Sequence, residues 1–247
     1  MSTAAVAPAR VVSEARTAGT LNLAAALAWV SQPGVCAVGA PATAICHTRA
    51  GNADIPGLGA VLETYVYVVD KDTCSAGTIR VLQTTVTLRV AGKGDIHVVF
   101  DATDCLVEGN QIPASTQGFR VTGGTGRYAG ASGSGTVTRQ SGPPGPRVFG
   151  TDTLTGTLVA PATEFDLTPP TISGANPKTV RAPRGATRVR VVFAVSGTDD
   201  VDGRVAVSCA PRSGTRFRIG RTRVTCTATD ASANETTARF TVTVRRR

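Results

Sequence analysis

The sequence predicts an all-β protein in two units, and three observations carry that prediction. Short runs of valine, threonine and isoleucine alternate with polar residues between glycine- and proline-bearing turns, and long Leu/Glu/Lys/Gln runs are missing. The net charge of +9 is uneven: residues 166–247 hold 15 basic and 6 acidic side chains, whereas residues 1–165 hold 11 of each. Four prolines fall in residues 161–180, "PATEFDLTPPTISGANPKTV", where the charge changes. A length of 247 residues suits one large or two ordinary domains, and aromatics make up only 4% of the chain, so aliphatic side chains must fill the cores.

Along the chain, residues 1–17 are alanine-rich and aperiodic and are expected to be disordered. "LNLAAALAWV" (21–30) reads as the first strand; it is too short to cross a bilayer, so no transmembrane segment is expected, and a secretory signal is expected upstream. A Pro/Gly-rich loop follows, stapled by Cys36 and Cys46. "GLGAVLETYVYVVD" (57–70), "TIRVLQTTVTLRV" (78–90) and "DIHVVFDA" (95–102) read as strands, with "AGKG" as a hairpin turn and Cys74 and Cys105 at the hairpin's ends. The glycine-rich "GFRVTGGTGRYAGASGSGTVT" (118–138) and "FGTDTLTGTLVA" (149–160) complete about seven strands, which fits a barrel or a sandwich. A proline-rich linker (162–170) leads to the second unit, where "RVRVVFAV", "RVAVSC", "RVTCTA" and "RFTVTV" alternate cleanly.

Six cysteines in close pairs without CxxC spacing read as disulfides, with Cys209 and Cys226 as the third pair. Disulfides imply an oxidising compartment outside the cytoplasm; the alternative is a cytoplasmic protein with free thiols. With only His47 and His97 in the chain, a histidine metal cluster is not expected.

Four groups of residues are candidate sites. Glu63, Tyr65 and Tyr67 share one face of their strand, and Leu62, Val66 and Val68 the other. Apolar residues ordinarily mark the inner face, which would leave the acid and phenols in solvent. The converse orientation would give a barrel lumen with a binding pocket and a carboxyl of raised pKa. In "TDDVDG" (198–203), Asp199, Asp200 and Asp202 suit calcium, although Asp and Gly are also ordinary turn formers; no other cofactor is expected. Arg188, Arg190, Arg216, Arg218, Arg221 and Arg223 fall on outward faces and form a basic contact face. Without exposed aromatics that face does not suit nucleic acid, and an anionic envelope polymer or an extracellular protein is the expected partner. Part of the arginine excess has a compositional origin in what reads as a GC-rich, bacterial genome. Gly124, Gly126 and Ala129 match a dinucleotide fingerprint, but a strand follows them where that motif needs a helix.

The second unit resembles the hyalin repeat (HYR) domain. The resemblance rests on Pro169–Pro170, Asp199–Asp200, Asp202–Gly203, Cys209, Pro211, Ser213–Gly214, Phe217, Gly220, Thr222, "VTC" at 224–226, Ala228, Asp230 and Asn234. Ala233 stands where that family usually has glycine. The resemblance implies an immunoglobulin-like β-sandwich over 171–247, adhesion or protein contact, and no catalysis. Residues 18–161, through "IPGLGAVLETYVYVVD" and the glycine-rich hairpin, are similar to the allene oxide cyclase and dirigent superfamily, which implies an antiparallel barrel of about eight strands. The expectation is therefore a secreted or surface-associated, non-enzymatic binding or adhesion protein. In the alternative, the barrel binds, cyclises or isomerises a lipophilic small molecule and the second domain anchors it.

Overall fold

The computed structural model describes residues 16–36, 38–40, 42, 44–70, 74–75, 78–107, 115–143 and 146–247. The first unit contains β1 (Arg16–Pro33), β2 (Ile45–Ile55), β3 (Gly59–Asp70), β4 (Thr78–Val81), β5 (Thr84–Val90), β6 (Gly94–Phe100), β7 (Leu106–Val107), β8 (Ser115–Gly124), β9 (Ser132–Ser141) and β10 (Val148–Asp166). Eight of these close a ring in the order β1-β2-β3-β5-β6-β8-β9-β10, and β10 returns to pair with β1. Every pairing in the ring is antiparallel, and closure gives each of the eight strands a neighbour on both sides. Eight strands make a ring whose interior side chains can fill.

Two boundaries differ from the sequence expectation. The run 78–90 is two strands, because β4 pairs with Val69 and Asp70 at the end of β3 while β5 pairs with Val61–Thr64 further back. A break at Leu82 and Gln83 lets the chain make both sets of bonds. In addition, β10 runs on to Asp166, paired with Arg16–Ala18, so strand occupies residues 162–166 of the stretch expected as a linker. The expected disorder of 1–17 concerns residues that up to 15 lie outside the described ones; Arg16 and Thr17 belong to β1.

Close approach fixes several glycines of the barrel wall. A Cβ at Gly150 would collide with the Trp29 ring, and one at Gly135 or Gly156, neighbours across β9 and β10, would meet the Phe119 ring. Among the described residues the helical segment is a single 3-10 turn, Gly126–Tyr128, with strand following it. No helix is there to hold a pyrophosphate at the glycine fingerprint.

The second unit consists of β11 (Thr171–Ser173), β12 (Lys178–Arg181), β13 (Arg188–Arg190), β14 (Ser196–Asp199), β15 (Gly203–Val205), β16 (Val207–Ala210), β17 (Arg216–Arg218), β18 (Gly220–Thr229) and β19 (Glu235–Arg245). They form sheets β11-β14-β15, β12-β19-β18-β16 and β13-β17 around a core of Val191, Phe217, Val224, Cys226, Phe240, Val242 and Val244. Phe193 packs edge-to-face on Phe217 and Phe240, with ring centroids 6.5 and 5.0 Å apart. The all-β, barrel-then-sandwich architecture read from the sequence is the one observed.

All three disulfides join the cysteines paired by proximity: Cys36–Cys46, Cys74–Cys105 and Cys209–Cys226. The last links directly opposed residues of β16 and β18 across a separation of 17. Replacing Cys209 and Cys226 with alanine is expected to destabilise the second domain by roughly 3 kcal/mol on the chain-entropy account. Thermal unfolding followed by circular dichroism checks it, and a Tm lowered by less than about 3 °C would refute the estimate.

Candidate functional site

The barrel lumen has an apolar half and a charged half. In the apolar half, Leu23, Ile55, Leu58, Leu88, Ile96, Phe119 and Leu158 close around a void of about 10 Å³, less than a ligand needs.

The charged half reverses the sequence expectation for β3. Leu62 and Val66 point outward, 45% and 37% exposed, whereas Glu63 and Tyr65 point into the lumen at 0% and 7%. Val68 is half-buried, and the side chain of Tyr67 lies outside the described residues. The inward row is thus Val61, Glu63, Tyr65, Val69. The apolar preference of Leu62 and Val66 is outweighed because three other strands supply partners for polar groups inside. Arg49 (β2), Arg139 (β9) and Asp152 (β10) are all buried there with Trp29 (β1). Asp152 is the hub. Its Oδ1 accepts from Trp29 Nε1 at 2.8 Å and from Arg139 Nε at 2.9 Å. Its Oδ2 accepts from Arg139 at 2.8 Å and from the Tyr65 hydroxyl at 3.3 Å. The Tyr65 oxygen in turn accepts from Arg49 and Arg139, both at 2.7 Å. The Arg49 guanidinium lies 3.6 Å from the Trp29 ring centre, a cation–π contact in a desolvated place.

Glu63 stands apart from this network: both carboxyl oxygens are buried without a hydrogen-bond partner among the described residues. Burial first, and the Asp152 charge second, push its pKa up to about 8, against the opposing pull of Arg139 and Arg49. Glu63 is therefore mostly protonated at neutral pH. Burial also pushes the Tyr65 phenol up, keeping it neutral and able to donate. His47, half-buried on β2, is held below its usual value by burial and by Arg49.

A second cluster lies where the barrel meets the second domain. One carboxylate oxygen from each of Asp166, Asp199, Asp202 and Asp230 lies within 4.8 Å of those of the other three. Of the set expected from the sequence, Asp199 and Asp202 are in this group and Asp200 is not. Asp166 ends β10 and Asp230 follows β18, and neither was singled out by spacing because both are remote in sequence from "TDDVDG". Lys93 reaches the same region, its Nζ donating to Leu58 O at 2.7 Å, and burial lowers its pKa against the pull of Asp202, Asp166 and Asp230.

The six arginines of the expected contact face, Arg188, Arg190, Arg216, Arg218, Arg221 and Arg223, are all exposed. In the β13–β17 ribbon, Arg188 directly opposes Arg218 and Arg190 opposes Arg216.

Against known proteins, residues 165–244 match the family model of the HYR domain. A stretch of 91 residues, 36% of this chain, is 41% identical to hyalin of Strongylocentrotus purpuratus and covers 8% of that protein. The chain thus spans a small part of that relative's length, and the match to the HYR model covers residues 165–244.

Proposed function

We propose that this is an extracellular or cell-surface binding protein of the adhesion type, without catalytic activity, whose HYR domain holds an anionic envelope polymer or an acidic protein surface. The observation that carries the reading is the ribbon in which Arg188 faces Arg218 and Arg190 faces Arg216. Like charges directly opposed across strands are destabilising, and an anion bridging them removes that repulsion. Guanidinium forks suit the paired oxygens of carboxylate, sulfate or phosphate. Three disulfides and the likeness to hyalin support an extracellular setting.

The rival reading makes the barrel the active part, binding or transforming a lipophilic molecule, as the sequence resemblance of residues 18–161 to allene oxide cyclase and dirigent barrels would imply. One observation favours it, the partnerless, protonated Glu63 inside the lumen. The filled apolar half speaks for the barrel as a platform instead.

The test is co-sedimentation of the full chain with envelope material rich in anionic polymer, at about 50 and about 300 mM salt, across which the screening length shortens to about two-fifths. Binding is expected to fall several-fold at the higher salt, and to fall likewise when Arg188, Arg190, Arg216 and Arg218 are replaced by serine. Retention indifferent to both salt and the substitutions would sink the reading.

A further inference from the structure

We propose that Asp166, Asp199, Asp202 and Asp230 form a calcium site that ties the end of the barrel to the HYR domain. The four reach one point from both sides of the junction: Asp166 closes the last barrel strand, Asp199 ends β14, Asp202 lies in the turn to β15, and Asp230 follows β18. Oxygens bound to one calcium ion at about 2.3–2.6 Å stand no more than about 5 Å apart. One oxygen from each carboxylate meets that limit, all lying within 4.8 Å of one another.

The second line of support is what these carboxylates lack. Asp166 and Asp199 are more than nine-tenths buried, and the Oδ2 of each has no hydrogen-bond partner among the described residues. Their other oxygens are occupied: Asp166 Oδ1 accepts from the Thr168 amide, and Asp199 Oδ1 from those of Val201 and Asp202. Asp202 Oδ2 accepts from the Ala231 amide, and Asp230 Oδ1 from those of Ser232 and Asn234. Backbone amides thus orient each carboxylate and the Asn234 side-chain amide also donates to Asp230 Oδ2 at 2.8 Å, while Oδ2 of the buried Asp166 and Asp199 stays unpartnered among the described residues. A buried, partnerless carboxylate oxygen is costly unless a cation meets it. Two cations, Lys93 and Arg127, line the same cleft as Asp166 and Asp202, and Lys93 already donates to Leu58 O.

The surroundings fit a hard cation. Beside the cluster lies a cleft of about 620 Å³, lined by Gly57, Lys93, Tyr128, Asp166, Asp202 and Ser232 among others. It admits the waters that raise four carboxylates to the six to eight oxygens of a calcium shell. The junction is already joined by Gly57 N donating to Ser232 O at 2.8 Å and Asn234 Nδ2 donating to Asp166 O at 3.0 Å. Four of the five acids in residues 171–247, Asp199, Asp200, Asp202 and Asp230, fall in or next to this end of an otherwise basic domain. Their placement separates an acidic junction from an arginine-bearing face.

The experiment titrates Ca²⁺ into the chelator-treated full chain by calorimetry, with Tm and hydrogen exchange read in parallel. One ion should bind, with an affinity in the range of about 10⁻⁴–10⁻³ M typical of extracellular modules. Saturating calcium should raise Tm by about 5 °C and slow exchange at residues 55–59 and 230–234. Asp166→Asn and Asp199→Asn keep the oxygen that the amides hold, so the apo fold should persist while the calcium response is lost. Asp202→Asn, at an exposed position, should weaken it. No heat and no Tm shift at about 10 mM Ca²⁺ would overturn the site, as would a response that survives both buried substitutions. An equal response to Mg²⁺ would overturn the assignment to calcium. If Lys93 were instead the cluster's sufficient counter-ion, Lys93→Met would be needed before calcium bound at all. Binding without slowed exchange would overturn the tie between domains.

Discussion

Replacing Asp152 with alanine is expected to destabilise the barrel by about 3–5 kcal/mol, the range for breaking a buried charge network by removing one partner. The large figure follows from what is left behind. Asp152 holds Arg139 through two bonds and also the Trp29 indole N–H and the Tyr65 hydroxyl. Without it, Arg49 and Arg139, both 2% exposed, would share the lumen with a protonated Glu63 and no carboxylate. Part of the loss should be offset, because removal of the Asp152 charge lowers the Glu63 pKa and brings a new anion into the site. Asp152→Asn, which keeps the shape and one acceptor, should cost less than alanine. Urea unfolding of the full chain, read by the fluorescence of Trp29, the chain's one tryptophan, measures both. A loss under about 1 kcal/mol for alanine, no more than an ordinary exposed pair gives, would mean that water or a repacked lumen already solvates the guanidiniums.

What could be read from the sequence, and what could not, divides along the range of the interactions. Strands, the glycine-rich hairpin and the three disulfides depend on neighbours or on short separations, and alternation and turn residues disclose them. The arginine face was equally plain, because Phe217 sits between Arg216 and Arg218 and fixes which way they point. The lumen was not. Asp152, which joins Tyr65 to Trp29, lies 87 and 123 residues from them, and only closure of the ring by β10 against β1 brings the three together. Strand β3 was ambiguous because both of its rows are partly apolar, so a period of two left open which row faced inward. A signal did exist in the partner strands. Arg139 shares parity with Val137, and Asp152 with Leu154, so each charge stands in the row that an apolar residue marks as inward. Two opposite charges in such rows of one barrel ask for each other, and an acid and phenols on an ambiguous strand then have company inside. The acidic junction failed for the same reason of range: "TDDVDG" supplied half of the cluster, and the rest came from the end of the barrel and the far side of β18.

Glu63 makes the protein's stability depend on pH in a direction opposite to that of a salt-bridged acid. Its ordinary value is 4.5 and its value in the fold is about 8. Between these the folded chain holds a proton that the unfolded chain has released, so stability falls as pH rises, by about 1.4 kcal/mol per unit. The loss is absent below the unfolded value, amounts to about 3 kcal/mol at pH 7, and levels off above the folded value. Glu63→Gln keeps the shape and removes the titration. It should match the unaltered protein near pH 4 and exceed it by about 3 kcal/mol at pH 7, with the gap widening to pH 8. Urea midpoints measured at intervals across that window test the slope. A Gln variant less stable than the parent at pH 7 would show that Glu63 is ionised and neutralises Arg49 or Arg139, which reverses the sign. The outcome also bears on the barrel's role. A carboxyl kept neutral at this expense to stability, if its replacement also abolishes capture of a lipophilic fluorescent probe, is retained for a ligand. If the variant is only more stable and otherwise unchanged, the barrel is a platform and binding rests with the arginines of the HYR domain.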